Sequence, residues 1–414
     1  MRLEAWPGGY LSWVRGRVAI GVALLVVSAL LAWNYFRPVP AAAAQLTLPV
    51  QETIAGTPPV IPWPGVGSAV VGVSGLGEIG SSGNAQPLPA ASVTKVMTAM
   101  VVLIDKPLNP GEDGPSIAIT AQDVKTYEAD RAQGQSVVRV QVGEKLTEFQ
   151  ALQAMLIPSG NNIAELLARW DAGSVSVFVE KMNQEAMLIG LTNTRFADPA
   201  GANPSSVSTP HDLMALGMAA MRFPAFAQVV GLQSAVLPVA GPVYNVNSVL
   251  GKDGIVGIKT GSGFKLGANF LFAATVQVDS HPVTVFGCVM GQPTLDAAFA
   301  AARALIRAVV PGLTVKKIVS RNQSVGAYGT AWGGGSDVLS TVDVLVVEWP
   351  AMVIRNRLDS PAMNVDKPIN PGVDAGKLHV VLGDYSLDVP LVTASGLFPA
   401  SKLWRITRLP TGGS

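Results

Sequence analysis

The apolar and polar positions fall into three textures along the chain. From Val18 to Phe36 no charge interrupts the run between Arg17 and Arg37. As a helix this stretch spans roughly 28 Å, enough to cross the hydrocarbon core of a bilayer. It is followed at residues 37–58 by a segment rich in Pro, Ala and Thr, which predicts an extended, mobile linker. From about residue 59 the texture is mixed. Ser68 to Val73 reads as a strand entering a hairpin, and Ser92 opens a helix whose Val96, Met97, Ala99, Met100, Val102 and Leu103 leave almost no polar face, so it runs buried through a domain. Helical spacing returns from about Leu146 to Leu156, stops at Pro158, and resumes near Ile163 with Leu166, Leu167 and Trp170. Thr209-Pro210-His211-Asp212 carries the cap, Pro and acid of a helix start. Asn269 to Val278 and Val283 to Met290 are strand-like runs joined by a turn, and Ala297 to Val309 is helical. Past Pro311-Gly312 only short β-type runs remain: Leu313 to Val319, Val342 to Trp349, and a hairpin across Gly383-Asp384. The pattern predicts an α+β domain over 59–310 with antiparallel sheet, then a small all-β, sandwich-like domain over 312–405, the whole preceded by one N-terminal transmembrane helix at 18–36 and a tail at 1–17.

Composition narrows the classes. Lys+Arg number 29 and Asp+Glu 28 in 414 residues, a formal net charge of +1, with no dense basic run. Nucleic acid is therefore not an expected partner. The single Cys288 excludes an intrachain disulfide framework and, inside Val285-Phe286-Gly287-Cys288-Val289-Met290, reads as a small buried hydrophobe, a reactive thiol being the alternative. Arg15 and Arg17 on the N-terminal side place residues 1–17 in the cytoplasm, and Trp33, Tyr35 and Phe36 suit the far interface. The body then lies outside the cell membrane as a single-pass protein. If Ala41 to Ala44 is instead a signal-peptidase site, the body is secreted.

Three short strings carry the chemistry: Ser92-Val93-Thr94-Lys95, Ser159-Gly160-Asn161 and Lys259-Thr260-Gly261. Residues three apart share a helix face, so Ser92 and Lys95 form a nucleophile with its own base. A serine hydroxyl needs a proton acceptor, and lysine can serve only when neutral, with its pKa brought down from about 10.4 by burial or a nearby cation. Lys259 is the candidate cation and can also attract a substrate carboxylate. Ser159 suits a proton relay, and the Asn161 amide can orient Lys95 and hold a substrate carbonyl. Gly261 lets a backbone approach the strand, so that substrate could lie as an added strand. Taken singly, Ser92 is also a helix cap, Lys95 a solvated charge, Ser159-Gly160-Asn161 a turn and Lys259-Thr260-Gly261 a strand end. His211, His281 and His379 are scattered, which argues against a Ser-His-Asp triad or a metal site.

The joint order of the strings is the signature of class A β-lactamases and penicillin-binding proteins, here with Gly in the middle string. Ala91 to Thr98, Met155 to Asn162, Phe196-Ala197-Asp198-Pro199-Ala200-Gly201, Ser208-Thr209 and Gly257 to Gly261 extend the likeness. Residues 59–310 resemble the low-molecular-mass penicillin-binding proteins that are serine-type D-alanyl-D-alanine carboxypeptidases, the peptidase S11 family. The resemblance implies a serine β-lactamase/transpeptidase-like catalytic domain and a C-terminal β domain at 312–405. It implies Ser92 as acylated nucleophile, Lys95 as base, Ser159 and Asn161 assisting, and Lys259, Thr260 and Gly261 binding substrate. The amides of Ser92 and Ser262 would form the oxyanion hole. The expected activity is removal of the terminal D-alanine from peptidoglycan stem peptides ending in D-Ala-D-Ala, with β-lactam antibiotics acylating the same serine and no cofactor. Two departures stand out. Val246 and Ala298 occupy places where some relatives carry carboxylate-clamping arginines, and no long amphipathic helix closes the chain. A β-lactamase would need a deacylating general base, for which Glu185 is a poor match; a non-catalytic envelope binding protein is the other alternative.

Overall fold

The computed structural model describes residues 9–408 apart from 85, 264–266 and 384, with side chains from residue 13. Five strands, Ile255–Gly263, Gly267–Val278, His281–Gln292, Ser68–Val73 and Gly77–Ser82, lie side by side in that order in one antiparallel sheet. Successive side chains point to opposite faces. Val70, Leu271, Ala273, Phe286 and Cys288 thus join one core cluster, while Ala69, Val71, Phe270, Phe272 and Val285 join another. Because both of their faces are covered, the three inner strands read in the sequence as nearly continuous apolar runs rather than alternating ones. Burial pushes the Cys288 thiol up, as expected of a packing residue.

On one face the helix Lys95–Asp105 runs buried among Glu148–Leu156, Asn161–Ala172, Val175–Leu188 and Pro210–Ala220. On the other lies Leu295–Val309, whose Phe299 packs edge-on to Phe270 with ring centroids 5.0 Å apart. Local chemistry sets the helix starts. Thr147 and Gln150 make a reciprocal capping box, and the Asp212 N–H donates to Thr209 Oγ1 at 3.2 Å with Pro210 in the first turn. One start differs from expectation. Ser92 lies in a single 3₁₀ turn, Ala91–Thr94, and the α-helix begins at Lys95.

A seven-stranded antiparallel sheet forms the C-terminal unit, in the order Ala43–Leu46, Ser324–Gly329, Gly335–Ser340, Tyr385–Thr393, Asp374–Leu382, Val353–Asp359, Gln51–Thr53, with Thr314–Val319 and Val344–Glu348 paired beside it. Both edge strands come from residues 37–58, which are therefore not a free spacer. Ala43 to Leu46 pairs with Gly329 to Gly326, and Gln51 to Thr53 with Arg355 to Val353. Edge strands need only backbone partners on one side, so short polar sequence suffices, and the two segments cover edges otherwise open to other chains.

The N-terminal helix covers Gly9–Phe36, longer than the run predicted at 18–36, and Trp13–Phe36 is apolar and long enough to cross a membrane, with mean hydropathy 2.0. Its end is clasped by the short helix Lys402–Thr407, which the sequence did not predict. Arg408 donates to Asn34 O at 2.8 Å, to Pro38 O at 3.1 Å and to Arg37 O, while Asn34 Nδ2 donates to Ile406 O at 2.7 Å.

Candidate active site

The 3₁₀ turn decides the first contact. With three residues per turn, side chains at i and i+3 eclipse, so Ser92 and Lys95 stand one above the other. Lys95 Nζ lies 2.9 Å from Ser92 Oγ, 2.6 Å from Asn161 Oδ1 and 2.8 Å from Ala200 O, and the lysine has no exposed surface. Two of those partners are carbonyl oxygens, which can only accept. They take the two N–H bonds of a neutral amine, leaving its lone pair for the one neighbour that can donate, the Ser92 hydroxyl.

The turn is held in place by close backbone approaches. Ala91 has φ +48° and Gly201 φ +74°. A Cβ on Gly201 would sit 1.8 Å from Ala91 O, so only glycine fits. One on Gly261 would sit 2.9 Å from Ala90 O and 3.1 Å from Val93 N, which is how near the strand Ile255–Gly263 runs to the turn that carries Ser92. Asn269, on the neighbouring strand, ties the two together by donating to Pro89 O at 2.8 Å and Ala90 O at 3.1 Å.

The elbow between helices Glu148–Leu156 and Asn161–Ala172 brings in the second string. Ser159 has φ +66°, a left-handed backbone that non-glycine residues seldom adopt, and its Oγ accepts from Lys259 Nζ at 2.9 Å. Lys259 also donates to Thr260 O at 3.0 Å and is buried. Thr260 and Gly261 are buried too, whereas Ser262 and Gly263 open into a groove with Gly267, Ala268, Pro293 and Thr294. The strand carrying them is the outermost of its sheet, leaving an edge to which an extended chain can be added. The structure therefore joins Ser92, Lys95 and Asn161 in one hydrogen-bonded group and Ser159, Lys259 and Thr260 in another, with Gly261 close against the turn that carries Ser92 and Ser262 exposed beyond it.

Burial sets the electrostatics. It lowers Lys259 to about 7. Lys95 falls well below the usual lysine range, first through burial and then through the charge of Lys259, against the opposing pull of Asp198 and Asp130. A neutral Lys95 beside a Lys259 that still binds a proton near neutrality is a base next to a cation. Glu185 lies elsewhere, against Asp105 and Lys181 at the far end of the buried helix, about 15 Å along its axis from Lys95.

Several contributors were given no role by the sequence, although Asp198 and Ala200 lie in one of the strings that extend the likeness. Ala200 acts through its carbonyl, which any residue supplies. Asp198 holds that loop by accepting from Ala202 N at 2.8 Å, Ala200 N at 3.3 Å and Ser206 Oγ at 2.6 Å. Gln135 accepts from Asn161 Nδ2 at 2.6 Å. Asn269 offered a signal: a polar residue, with no exposed surface, opening an otherwise apolar strand run.

Residues 75–294, over half of the chain, match the peptidase S11 family, described as D-alanyl-D-alanine carboxypeptidase. A D-alanyl-D-alanine endopeptidase of Pseudomonas aeruginosa is 34% identical over 182 residues, 44% of this chain and 52% of that protein. The D-alanyl-D-alanine carboxypeptidase DacB2 of Mycobacterium tuberculosis is 35% identical over 153 residues, 36% and 48% of the two chains. The matched stretch spans about half the length of these two relatives. The structure of penicillin binding protein 5 from Haemophilus influenzae superimposes on 83% of this chain and 100% of its own, with a TM-score of 0.62 at 20% identity, a likeness of fold.

Proposed function

The chain belongs to the D-alanyl-D-alanine carboxypeptidase family, peptidase S11, and from that premise we propose that it is a serine hydrolase that removes the terminal D-alanine from peptidoglycan stem peptides ending in D-Ala-D-Ala. The observation that carries this reading is a fully buried lysine amine 2.9 Å from a serine hydroxyl, with both of its N–H bonds directed elsewhere.

In this reading Ser92 Oγ attacks the penultimate D-alanine carbonyl while its proton passes to the Lys95 lone pair. The tetrahedral oxyanion is met by the backbone N–H groups of Ser92 and Ser262. Collapse breaks the peptide bond, and Ser159, hydrogen-bonded to Lys259, relays the proton that Lys95 took from Ser92 to the departing D-alanine nitrogen, leaving Lys95 neutral again. Water then attacks the acyl-Ser92 ester with Lys95 taking its proton and passing it to Ser92 Oγ as the ester bond breaks, which frees the shortened peptide and the serine. Lys259 and Thr260 hold the terminal carboxylate, a task resting the more on them because Val246 supplies no charge; Ala298 is buried in the core on the far face of the sheet and does not face this site. Penicillins acylate the same serine. The position of Glu185 supports hydrolysis of peptides over rapid β-lactam turnover, and a non-catalytic role leaves two desolvated lysines without a purpose.

Residues 59–310 are the catalytic unit in this reading, 312–405 with its two borrowed edge strands a separate β unit, and Trp13–Phe36 an uncleaved anchor holding both outside the cytoplasmic membrane. The clasp of Arg408 on the end of that helix supports retention over cleavage. The test is D-alanine release from a stem pentapeptide by the full-length protein in nanodiscs, with Ser92→Ala alongside. Release by the wild type alone is expected; release by both, or by neither, would contradict the assignment.

A further inference from the structure

Asn161 is engaged at both ends of its amide. Oδ1 accepts from Lys95 Nζ at 2.6 Å, and Nδ2 donates to Gln135 Oε1, also at 2.6 Å. Gln135 is oriented in turn, since its Nε2 donates to Gln133 Oε1 at 3.0 Å. The loop bearing Gln135 leaves the helix Ala121–Ala132 through Gly134, at φ +71°, and is then laced to the elbow. Asn161 N donates to Ser136 O at 2.8 Å, and the Asn162 side chain pairs with both the N–H and the carbonyl of Val138 at 2.9 Å. Gln135 Oε1 is thus a fixed acceptor aimed at one end of the Asn161 amide.

An acceptor in that place matters because of what Lys95 becomes. While Lys95 is charged it can only donate, so it holds Asn161 Oδ1 toward itself unaided. Once neutral it carries a lone pair, and an Asn161 amide turned by half a rotation could donate Nδ2 into it. The lone pair needed for the Ser92 proton would then be occupied. We propose that Gln135 is a positioning residue that blocks this rotation, holding the Asn161 amide so that the Lys95 lone pair stays free for Ser92. The inference rests on the reading of Lys95 as the base.

The consequence is a particular pH signature. Losing the acceptor adds a second, unproductive form of neutral Lys95 without changing the charged form or the productive one. The plateau of the acylation rate falls, while the acid limb, where nearly all molecules are charged, is unaltered. The other charged groups facing Lys95, namely Lys259 from the sheet, Asp198 from the loop after Phe196 and Asp130 from the helix before Gln135, stay in place in every variant.

The experiment follows second-order acylation of the full-length protein by a fluorescent penicillin across pH for the wild type, Gln135→Met and Gln135→Glu, with thermal melts of each. For Gln135→Met the plateau is expected to drop roughly tenfold, the worth of one hydrogen bond, with its midpoint moved to lower pH and its rates converging on the wild type in acid. Gln135→Glu keeps the acceptor and adds negative charge near Lys95, so its plateau is retained and its midpoint moves to higher pH. A drop of equal size at every pH in Gln135→Met would mark a merely structural loss and overturn the proposal, as would an unchanged profile. If Gln135→Met does not fold, a lowered plateau or a downward midpoint in Gln135→Glu overturns it instead. A wild-type rate with no acid limb would defeat the assignment of Lys95 itself, and is recognised without any Gln135 variant.

Discussion

The unit that holds Ser92 and the C-terminal unit bury their side chains on different terms. In the first unit the interior takes in Lys95, Lys259, Asp123, Asp130, Glu148 and Asp212. The C-terminal unit closes over Tyr328, Leu378, Val380, Leu382, Val389 and Leu391; its pair of Lys377 with Asp388 lies at the exposed surface, and Glu348, 3.6 Å from Lys316, is its one buried carboxylate among the described residues. Desolvating an ionisable group costs stability unless the group is paired or gives up its charge. Asp123 is paired with Arg169 at 2.8 Å, and Asp212 accepts from Asn193 N and Thr194 Oγ1, both at 2.8 Å. Lys95 and Lys259 are driven toward neutrality instead. The difference teaches that the interior of the first unit takes in ionisable groups far more freely than the C-terminal sheet, and that two of them, Lys95 and Lys259, are lysines depressed by burial within hydrogen-bonding reach of Ser92 and Ser159.

Substitutions that separate the two units sharpen that contrast. The largest expected effect is chemical. Lys95→Met removes the proposed base, and the acylation rate should fall on the order of a thousandfold, with a melting temperature equal to or above that of the wild type because a buried amine is replaced by an apolar chain; acylation at the wild-type rate would break the comparison. Next is Leu378→Ala in the C-terminal sheet, where a fully buried side chain is lost. A cost of about 2–5 kcal/mol is expected by denaturant titration, while the folded protein still acylates within about twofold of the wild type at saturation of the folded state; a parallel loss of acylation would show that the units are energetically one.

The smallest effect concerns Glu148, a buried group outside the proposed chemistry. Neither carboxylate oxygen has a hydrogen-bond partner among the described residues, and burial raises the group from an ordinary 4.5 to about 7. Between those values the native state holds a proton that the unfolded chain has released, so the contribution of Glu148 to stability is full below about 4.5 and is lost as pH rises through about 7. Glu148→Gln stays neutral throughout. Its melting temperature relative to the wild type should therefore climb by a few degrees between about pH 5 and about pH 8. A gap that stays flat or narrows would mean that Glu148 is already compensated.

What the sequence disclosed follows from how local each relationship is. Ser92 and Lys95 share one turn, and Lys259 to Gly261 lie on one strand, so their spacing is meaningful before any folding. The strand Ser68–Val73 and the capped start at Thr209 were legible for the same reason. Gln135 meets Asn161 across 26 positions and Lys95 meets Ala200 through a carbonyl, relationships that no local pattern encodes. The edge strands Ala43–Leu46 and Gln51–Thr53 were illegible because four and three residues are too few to alternate, and their partners lie some three hundred residues away. The 3₁₀ turn at Ser92 was hidden as well, since at Ala91 it is packed against Gly201, more than a hundred residues on.

The central claim is that Ser92 is acylated because buried Lys95 takes its proton. Peptide mapping by mass spectrometry, after brief exposure of wild-type, Ser92→Ala and Lys95→Met proteins to benzylpenicillin, tests it most directly. A penicilloyl adduct confined to the wild-type peptide containing Ser92 is the expected result. An adduct on another residue, or one formed equally fast without Lys95, would contradict the account.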